Sequence, residues 1–334
     1  MYKSFHIQNF RCFEDLEIND LARINLIAGK NNVGKTSFLE ALLIHCGQSN
    51  PQLPPDVNNL RGAAKHISEE FFASLFKGFD PSLEIILQDE RFNVRLELVH
   101  NPEEYPNASM LLTLRFEGDG IPPAVNYVGL DLQGKFMSSR SHPAQFPTIF
   151  IGSNIRGSNL KGNNQRFSDQ VKLGRRTEFV STLTQIDSRI QGVELLDFNG
   201  ETMLHVVVGM NSLMPILFLG DGIERFITCL LAFGDAQNGI LLIDEIENGL
   251  HYSVQTKVWK AIAKAAREFN VQVFATTHSL EMIRAAHEAF KDDDPYDFRL
   301  HRLDRINKTG KISAVTYDKE AMEATAAKNF EVRG

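Results

Sequence analysis

The chain has 334 residues, of which 43% are hydrophobic and 23% charged, enough for one large or two ordinary domains with a buried core. Its net charge of −7 argues against a protein that coats nucleic acid non-specifically, because such proteins are basic, although it allows a local basic patch. Three scattered cysteines fit neither a disulfide framework nor a zinc site, and without a signal-peptide pattern or an apolar run of membrane-spanning length we expect a cytoplasmic protein with no membrane contact.

The first part of the chain predicts short strands, a glycine-rich loop and a helix. Residues 2–7 and 16–18 alternate between apolar and polar side chains, and residues 23–28 run as an apolar strand into the loop. Apolar side chains recur at helical spacing directly after the loop, which predicts a helix there. Residues 47–62, with three prolines and several asparagines, predict a loop, and residues 66–79 predict an amphipathic helix.

The middle of the chain predicts a change of architecture. Residues 83–87, 94–99 and 111–116 have the pattern of antiparallel strands. Residues 146–151 form a further strand that is apolar throughout, and we therefore expect it to be buried. The segment 153–176 is polar and basic.

The second half of the chain predicts a parallel sheet. Residues 239–244 and 271–276 are continuous apolar strands, and each precedes a helical segment. Such strands belong to parallel sheets that helices cover on both faces. Strands near residues 298–303 and 311–317 and a short helix follow. The sequence thus predicts an α/β fold, with an N-terminal antiparallel part and a mainly parallel sheet flanked by helices.

The glycine-rich loop at residues 29–37 fits the phosphate-binding pattern G-x-x-x-x-G-K-[ST], between a predicted strand and a predicted helix. Its two glycines let successive backbone N–H groups point at phosphate oxygens, and the helix that follows presents its N-terminus to the anion. The lysine adds a charge for the β- and γ-phosphates, and the threonine hydroxyl is a ligand for Mg²⁺. The predicted nucleotide contacts are Gly29, Asn31, Asn32, Val33, Gly34, Lys35, Thr36 and Ser37.

Two carboxylates, Asp244 and Glu245, end the first apolar strand of the second half. The carboxyl ends of strands are the edge at which α/β sheets bind ligands. In a nucleotide site Asp244 would hold Mg²⁺ through water, and Glu245 would polarise the attacking water. The alternative is that the two residues only cap the next helix.

Two further features point to phosphate. His278 follows the second apolar strand and could donate a hydrogen bond to a γ-phosphate; a purely structural histidine is the alternative. Gly220, Asp221 and Gly222 open a helix and could form a second anion-binding nest. The alternative there is a plain turn capped by Asp221.

The arrangement of these motifs resembles the ABC-class ATPase head. A long insertion separates the phosphate loop from the Asp-Glu strand, a glycine segment comes shortly before that strand, and a strand-end histidine follows it. Residues 7–13 (IQNFRCF) and 29–32 (GKNN) are similar to the branch that contains SMC, RecF and OLD (overcoming lysogenization defect) proteins. Residues 244–251 (DEIENGLH) end in histidine, as they do in OLD-like proteins.

The resemblance implies that residues 1–334 form one ABC-class head. Lobe 1, at about residues 1–150, would hold the phosphate loop and the antiparallel strands. Lobe 2, at about residues 151–334, would hold the signature, the Asp-Glu strand (Walker B) and the switch histidine. It further implies ATP and Mg²⁺ as ligands, and a homodimer or higher homo-oligomer in which the signature at Gly220–Gly222 completes the partner's ATP site.

The sequence departs from the family pattern in the signature. L-S-G-G-Q of the family reads L-G-D-G-I at residues 219–223, without the serine that contacts the γ-phosphate. We therefore expect slow hydrolysis. Both Gln88 and Gln145 are candidates for the family's Q-loop glutamine.

OLD proteins also carry a Toprim nuclease domain, and the sequence offers only the acidic run at residues 292–294, which we expect to be a solvated loop. The resemblance thus implies a regulatory ATPase that controls a separately encoded effector, a Toprim-like or other nuclease, in anti-phage defence. One alternative is an ATP-dependent scaffold or sensor with little turnover. Another is a RecF-like DNA-binding repair ATPase that meets nucleic acid through the basic segment 156–176.

Overall fold

The computed structural model describes residues 1–62, 68–141, 146–153, 160–198, 200–209 and 212–327. Its strands are β1 (Phe5–Gln8), β2 (Asp15–Ile18), β3 (Ile24–Gly29), β4 (Ile85–Gln88), β5 (Phe92–His100), β6 (Ala108–Gly118), β7 (Ile121–Asp131), β8 (Phe136–Ser138), β9 (Thr148–Ile151), β10 (Ile190–Phe198), β11 (Glu201–Val208), β12 (Ser212–Pro215), β13 (Ile240–Ile243), β14 (Gln272–Thr277), β15 (Phe298–Arg305) and β16 (Ile312–Tyr317). Its helices are α1 (Lys35–Cys46), α2 (Leu53–Leu60), α3 (Glu69–Ala73), α4 (Leu160–Lys172), α5 (Arg176–Ile186), α6 (Asp221–Asp235), α7 (Tyr252–Glu268), α8 (Leu280–Phe290) and α9 (Lys319–Ala327).

A six-stranded sheet forms the centre of the molecule, in the order β16-β15-β3-β14-β13-β9. Its strands are parallel except for β16, which pairs antiparallel with β15 at one edge. Alternate side chains of one strand enter two different cores: Leu242 packs in the core that contains α1, and Leu241 and Ile243 pack in the core that contains α6, α7 and α8. The predicted parallel sheet with helices on both faces is thereby confirmed.

The strand register brings three carboxyl ends to one edge of this sheet. Ile243 of β13 lies opposite Ala275 of β14, and Thr277 of β14 lies opposite Ala28 of β3. Each strand continues into a loop there: the glycine loop after β3, the Asp-Glu pair after β13 and the histidine after β14. Parallel sheets bind ligands at this edge.

The N-terminal antiparallel sheet has seven strands in the order β2-β1-β4-β5-β6-β7-β8. The antiparallel pairing predicted for residues 83–116 is confirmed, with Leu96 of β5 opposite Leu114 of β6. Both leucines are fully buried and belong to the core that α1 shares, whereas Arg95, which directly precedes Leu96, is exposed. The sheet therefore supports α1, the helix that follows the glycine loop.

A third, three-stranded sheet in the order β10-β11-β12 was not predicted. It packs with α4 and α5 beside α6 in the core under the parallel sheet. The polar and basic segment expected at 153–176 contains α4, whose apolar side includes the buried Phe167.

Two of the local predictions before the antiparallel sheet were wrong. Residues 47–62 contain helix α2, because Pro54 and Pro55 lie in its first turn, where a missing N–H leaves no helical hydrogen bond unmade. The helix expected over 66–79 is far shorter, since α3 ends at Ala73 and residues 63–67 lie outside the described part of the chain. A 3₁₀ turn, Lys77–Phe79, follows it.

The strand expected at 146–151 exists as β9, but it is not buried throughout. Only Ile151 is fully buried, and the other three residues are partly exposed. The cause is its place at the edge of the six-stranded sheet, where it pairs with β13 alone among the described strands.

The division into two lobes near residue 150 stays a prediction. The six-stranded sheet takes β3 from the first part of the chain and its other strands from residue 148 onward.

None of the helices in the described ranges is both long enough and apolar enough to cross a membrane.

Candidate active site

A cavity of about 760 Å³ opens at the carboxyl edge of the parallel sheet. The glycine loop, the end of β13 and the start of the loop after β14 line one part of it, through Asn31, Asn32, Gly34, Lys35, Thr36, Ser37, Asp244, Glu245 and His278. The segment from the β1–β2 loop and the region between α2 and β4 line the rest, through Arg11, Cys12, Arg61, Ser74, Phe76, Gly78 and Phe79. The cavity therefore collects most of the residues that the sequence predicted as a nucleotide site.

The two glycines of the loop are required by its shape. Gly29 has a φ of +149°, and a Cβ there would lie 2.6 Å from the carbonyl oxygen of Leu303. Gly34 has a φ of +99°, and a Cβ there would lie 2.5 Å from the Cys12 sulfur. Asn32 also has a positive φ, of 60°. The loop can thus curl against its neighbours only because both positions lack a side chain.

Lys35 is the first residue of α1 and is almost fully buried. Its ammonium donates hydrogen bonds of 2.9 Å to the carbonyl oxygens of Gly29 and Lys30, so the side chain curls back over its own loop. Burial lowers the pKa of Lys35, while the carboxylates of Glu247, Glu245 and Asp244 oppose this shift. A lysine ammonium has three donors, so one stays available for an anion in the cavity.

Asp244 is the residue on which three segments meet. Thr36 Oγ1 donates to its two carboxylate oxygens, at 3.0 and 3.1 Å, and Thr276 Oγ1 donates to Oδ1 at 2.7 Å. Behind it, the buried Arg225 of α6 donates to the carbonyl oxygens of Asp244 and Gly152. A hydroxyl and a carboxylate at this distance are the hard oxygen ligands that suit Mg²⁺, which needs only one or two protein carboxylates beside phosphate oxygens.

Glu245 follows with a strained backbone. Its φ of +51° lies in the left-handed region, which a glutamate rarely adopts. Its own N–H donates to Thr276 Oγ1 at 2.7 Å, and its carboxylate accepts a hydrogen bond of 2.8 Å from the Asn248 amide. Both ends of the residue are thus held in place at the cavity wall.

His278 lines the cavity and is half exposed. Its Nδ1 lies 3.1 Å from Glu247 Oε1, and its backbone N–H donates to the same oxygen at 2.7 Å. Ser279 caps α8 by accepting from the backbone N–H of Met282, as a capping residue does. Sequence reasoning assigned no role to Glu247, although it lies within the segment 244–251 that resembles OLD-like proteins.

The signature residues lie outside the cavity. Gly220 and Asp221 are exposed at the start of α6, and Gly222 is buried against the loop that follows Glu245. A Cβ on Gly222 would lie 2.1 Å from the carbonyl oxygen of Gly249, and Gly249 itself has a φ of +74°. The signature helix therefore rests directly on the backbone of the Asp-Glu loop of the same chain.

Two arginines of the cavity wall were also missed. Glu40 of α1, which is fully buried, accepts from Arg61 at 2.6 and 2.9 Å and lies 3.0 Å from the Arg11 guanidinium. Arg61 also donates to Ser37 Oγ at 3.1 Å. Arg61 directly follows helix α2, and this helix brings it to the phosphate loop. The prolines of the segment had led to the prediction of a loop in its place.

The basic segment 156–176 is only partly described, since Arg156 and the side chain of Lys161 lie outside the described part of the chain. Its other basic side chains form ion pairs, Arg166 with Asp235, Lys172 with Asp169, Arg175 with Glu268 and Arg176 with Glu194. Of the two Q-loop candidates, Gln88 lies in β4 away from the cavity lining and Gln145 lies outside the described residues.

Comparison with known proteins gives the family. Residues 24–284 match the family described as "AAA domain, putative AbiEii toxin, Type IV TA system". The chain belongs to this family. A Helicobacter pylori protein described as an ATP/GTP phosphatase is 25% identical over 341 residues, which cover 88% of this chain and 90% of that protein.

Two solved structures show the fold. An Smc head bound to the C-winged helix domain of ScpA superposes with a TM-score of 0.54 at 12% identity, covering 96% of this chain and 98% of that chain. An Smc head with an extended coiled coil, bound to the C-terminal domain of ScpA derived from Pyrococcus furiosus, gives a TM-score of 0.51 at 13% identity. The match covers 98% of this chain and 99% of that chain. The predicted fold of an ABC-class ATPase head is confirmed. The family and the related phosphatase identify the chain as an ATPase. Its place in the OLD-like branch stays a prediction.

Proposed function

We propose that this chain binds ATP with Mg²⁺ in the cavity between the glycine loop and the ends of β13 and β14, and hydrolyses it slowly. The observation that carries the proposal is the hydrogen bond from Thr36 to Asp244, which joins the phosphate loop to the acidic strand end across 208 positions of sequence. Lys35 and the N-terminus of α1 supply positive charge on the side of the loop. The site therefore offers cations for the phosphates beside carboxylates for a metal and a water.

Each side chain then has one role. Lys35 would bind the β- and γ-phosphates, and Thr36 and Asp244 would hold the magnesium ion, which neutralises phosphate charge when bound. Glu245 would orient the attacking water and accept its proton. His278 would donate a hydrogen bond to the γ-phosphate.

Dimerisation around ATP is the second part of the proposal. Gly220, Asp221 and Gly222 begin a helix whose N-terminus suits an anion, yet they do not line the cavity of their own chain. The signature can complete a nucleotide site only if a second copy presents it. Two large side chains near the starts of neighbouring helices are exposed, Phe218 shortly before α6 and Tyr252 at the start of α7. Two copies that face each other would cover them.

The third part of the proposal is that the ATPase controls a separately encoded effector. The family description names a toxin of a Type IV toxin–antitoxin system, and the OLD-like motif at residues 244–251 points to a Toprim-like or other nuclease in anti-phage defence. The Smc heads of the comparison structures were solved in contact with ScpA. We infer that ATP binding and hydrolysis close and open a pair of heads, and that this movement switches the effector.

The hydrolysis step is tested with purified wild type, Lys35→Ala and Glu245→Gln in a phosphate-release assay. We expect the wild type to be active, Lys35→Ala to lose nucleotide binding, and Glu245→Gln to bind ATP without turnover. Light scattering should show an ATP-dependent dimer that is most persistent in Glu245→Gln. Equal rates of phosphate release in all three proteins would contradict the proposal. So would a molecular mass, measured by light scattering, that is the same with and without ATP.

A scaffold or sensor with little turnover is the second candidate. Two observations favour it: the Asn248 amide holds the Glu245 carboxylate, and glycine at position 220 replaces the signature serine. It predicts dimers of the wild type with ATP that release almost no phosphate. Under either candidate function, control of an effector can be tested with a purified nuclease encoded by a neighbouring gene. Its DNA cleavage is measured with and without this chain and ATP.

A further inference from the structure

We propose that Glu247 is the positioning residue for His278, and that the two together distinguish ATP from ADP. The proposal rests on the proposed function, since it assigns the recognition of the terminal phosphate within that site. Glu247 lies three positions after Asp244, outside the glycine loop and the Asp-Glu pair.

The contacts between the two residues are direct. Glu247 Oε1 accepts the backbone N–H of His278 at 2.7 Å and lies 3.1 Å from Nδ1 of the ring. The histidine side chain is 48% exposed and the glutamate side chain only 8%. An exposed imidazole samples several rotamers unless a contact holds it. One buried oxygen thus fixes both the backbone and the ring of His278.

The strained backbone of Glu245 explains how Glu247 reaches this place. The φ of +51° at Glu245 turns the chain back after β13, and the Ile246 N–H donates to the Thr276 carbonyl oxygen at 3.0 Å. The turn carries Glu247 over the end of β14, where His278 begins the next loop. A non-glycine residue in this region is unfavourable, so the surrounding contacts must hold it there.

The geometry also assigns the two ring nitrogens of His278. When Nδ1–H donates a hydrogen bond to the Glu247 carboxylate, only Nε2 remains for a ligand in the cavity that the ring lines. With both nitrogens protonated, Nε2–H donates to an anionic oxygen. Such second partners of a functional histidine fix its orientation, and their loss weakens the site.

The second oxygen of Glu247 supports a role beyond packing. Oε2 is buried and has no hydrogen-bond partner among the described residues. A buried carboxylate oxygen without a donor is unfavourable, and Glu247 is also the carboxylate that acts most strongly on the pKa of Lys35. Glu245 differs, because the Asn248 amide holds its carboxylate. The two glutamates of the loop therefore serve different partners.

The test compares affinities for ADP and for adenylyl imidodiphosphate, an ATP analogue that is not hydrolysed, both with Mg²⁺, by titration calorimetry. The proteins are the wild type, Glu247→Gln, Glu247→Ala, His278→Ala and the double alanine variant. Glu288→Gln, on the exposed side of α8, is the control for removal of a carboxylate. Thermal unfolding of each protein reports whether it is folded.

We expect Glu247→Ala and His278→Ala each to weaken binding of the ATP analogue about ten- to a hundredfold, the loss of one hydrogen bond to a charged group, and to leave ADP binding unchanged. The double variant should be no weaker than His278→Ala. Glu247→Gln keeps an acceptor in the same place without the charge and should lie between the wild type and Glu247→Ala. Glu288→Gln should match the wild type.

Two results would overturn the proposal: an unchanged ratio of the two affinities in Glu247→Ala, as when both nucleotides are weakened equally, or a double variant whose loss is the product of the two single losses. Failure of the proposed function looks different. A wild type that binds both nucleotides but releases no phosphate removes the hydrolysis step and leaves these affinity ratios readable. A wild type that binds neither nucleotide overturns both proposals.

Discussion

Thr36 Oγ1 donates a 3.0 Å hydrogen bond to Asp244 Oδ1, and Thr276 Oγ1 donates to the same oxygen at 2.7 Å. The glycine loop, the end of β13 and the end of β14 are thereby fixed to one carboxylate. Arg225 holds the backbone of Asp244 from behind. Because its partners already orient it, this carboxylate can receive a cation without rearrangement of the strand ends.

Replacing the Thr36 hydroxyl tests this arrangement. Thr36→Val keeps the size of the side chain but removes the donor to Asp244 and the predicted magnesium ligand. We expect kcat/KM for ATP hydrolysis to fall at least about tenfold, since a hydrogen bond to a charged group contributes roughly 1.5–3 kcal/mol. Thr36→Ser keeps the hydroxyl and should stay close to wild type. Magnesium titrations of the steady-state rate check both, and a fully active Thr36→Val would contradict the assignment.

The burial of Lys35 predicts a pH-dependent cost to stability. Burial lowers the pKa of Lys35 below its ordinary value of 10.5. Below the lowered pKa the lysine is charged in both the folded and the unfolded chain, so the penalty for the buried charge is fully present. As the pH rises towards 10.5 the folded chain loses its proton first and the penalty fades. Lys35→Met should therefore gain stability over wild type at pH 8, and that gain should shrink by pH 10.

Urea unfolding of the two nucleotide-free proteins at pH 8 and pH 10 measures this difference. A gain that does not change with pH would show that the charge is not its source. ATP supplies a second check, because a ligand that binds only the folded state stabilises it. We expect ATP to raise the free energy of unfolding of the wild type and to leave Lys35→Met unchanged.

The sequence alone predicted those features that depend on residues close together along the chain, such as the buried strands and the glycine loop. The continuous apolar strands β13 and β14 each need burial on both faces, which only a covered parallel sheet offers. The glycine loop carries its own signal, because Gly29 and Gly34 occupy positions where a Cβ collides with Leu303 and Cys12. The order of the strands in the sheet then brought the acidic strand end beside the loop.

Other features arise only from tertiary contacts. The prolines of α2 led to the prediction of a loop. A helix accommodates proline in its first turn, and the sequence alone did not show that these prolines lie there. Arg61 enters the site only because that helix ends beside Ser37. Glu247 gains its partner through the unusual φ of Glu245, which no local propensity of glutamate predicts.

Cys12 offers a chemical probe of the cavity. It lines the cavity beside Gly34, and it is partly exposed, whereas Cys46 and Cys229 are buried. We expect iodoacetamide to modify Cys12 and thereby block nucleotide binding, and we expect ATP to slow the modification. Peptide mass spectrometry with and without ATP measures the rate, and Cys12→Ser is the control that should keep binding ATP after treatment.

The pH dependence of that reaction follows from burial. Burial raises the pKa of the Cys12 thiol above 9.0, and the thiolate is the reactive form. The rate should therefore still be rising with pH at 9. Burial raises the pKa of Cys46 to about 12 and that of Cys229 to about 11, so both should stay unmodified in the folded protein. Labelling of Cys12 at a rate that ATP leaves unchanged would place the nucleotide elsewhere.

The contact between Gly222 and Gly249 predicts a link between the signature helix and the Asp-Glu loop. Gly222→Ala would set a methyl group 2.1 Å from the Gly249 carbonyl oxygen, so the two backbones must separate. We expect a loss of about 1–3 kcal/mol in the free energy of unfolding, typical of overpacking, together with a lower kcat because the loop carries Glu245. Gly220→Ala is the control for stability, because nothing lies within 4 Å of a Cβ there and its φ is −59°. A Gly222→Ala protein that is as stable to heat as Gly220→Ala would contradict the link, because a Cβ at position 222 meets the backbone of Gly249 and Leu250 and one at position 220 meets nothing within 4 Å.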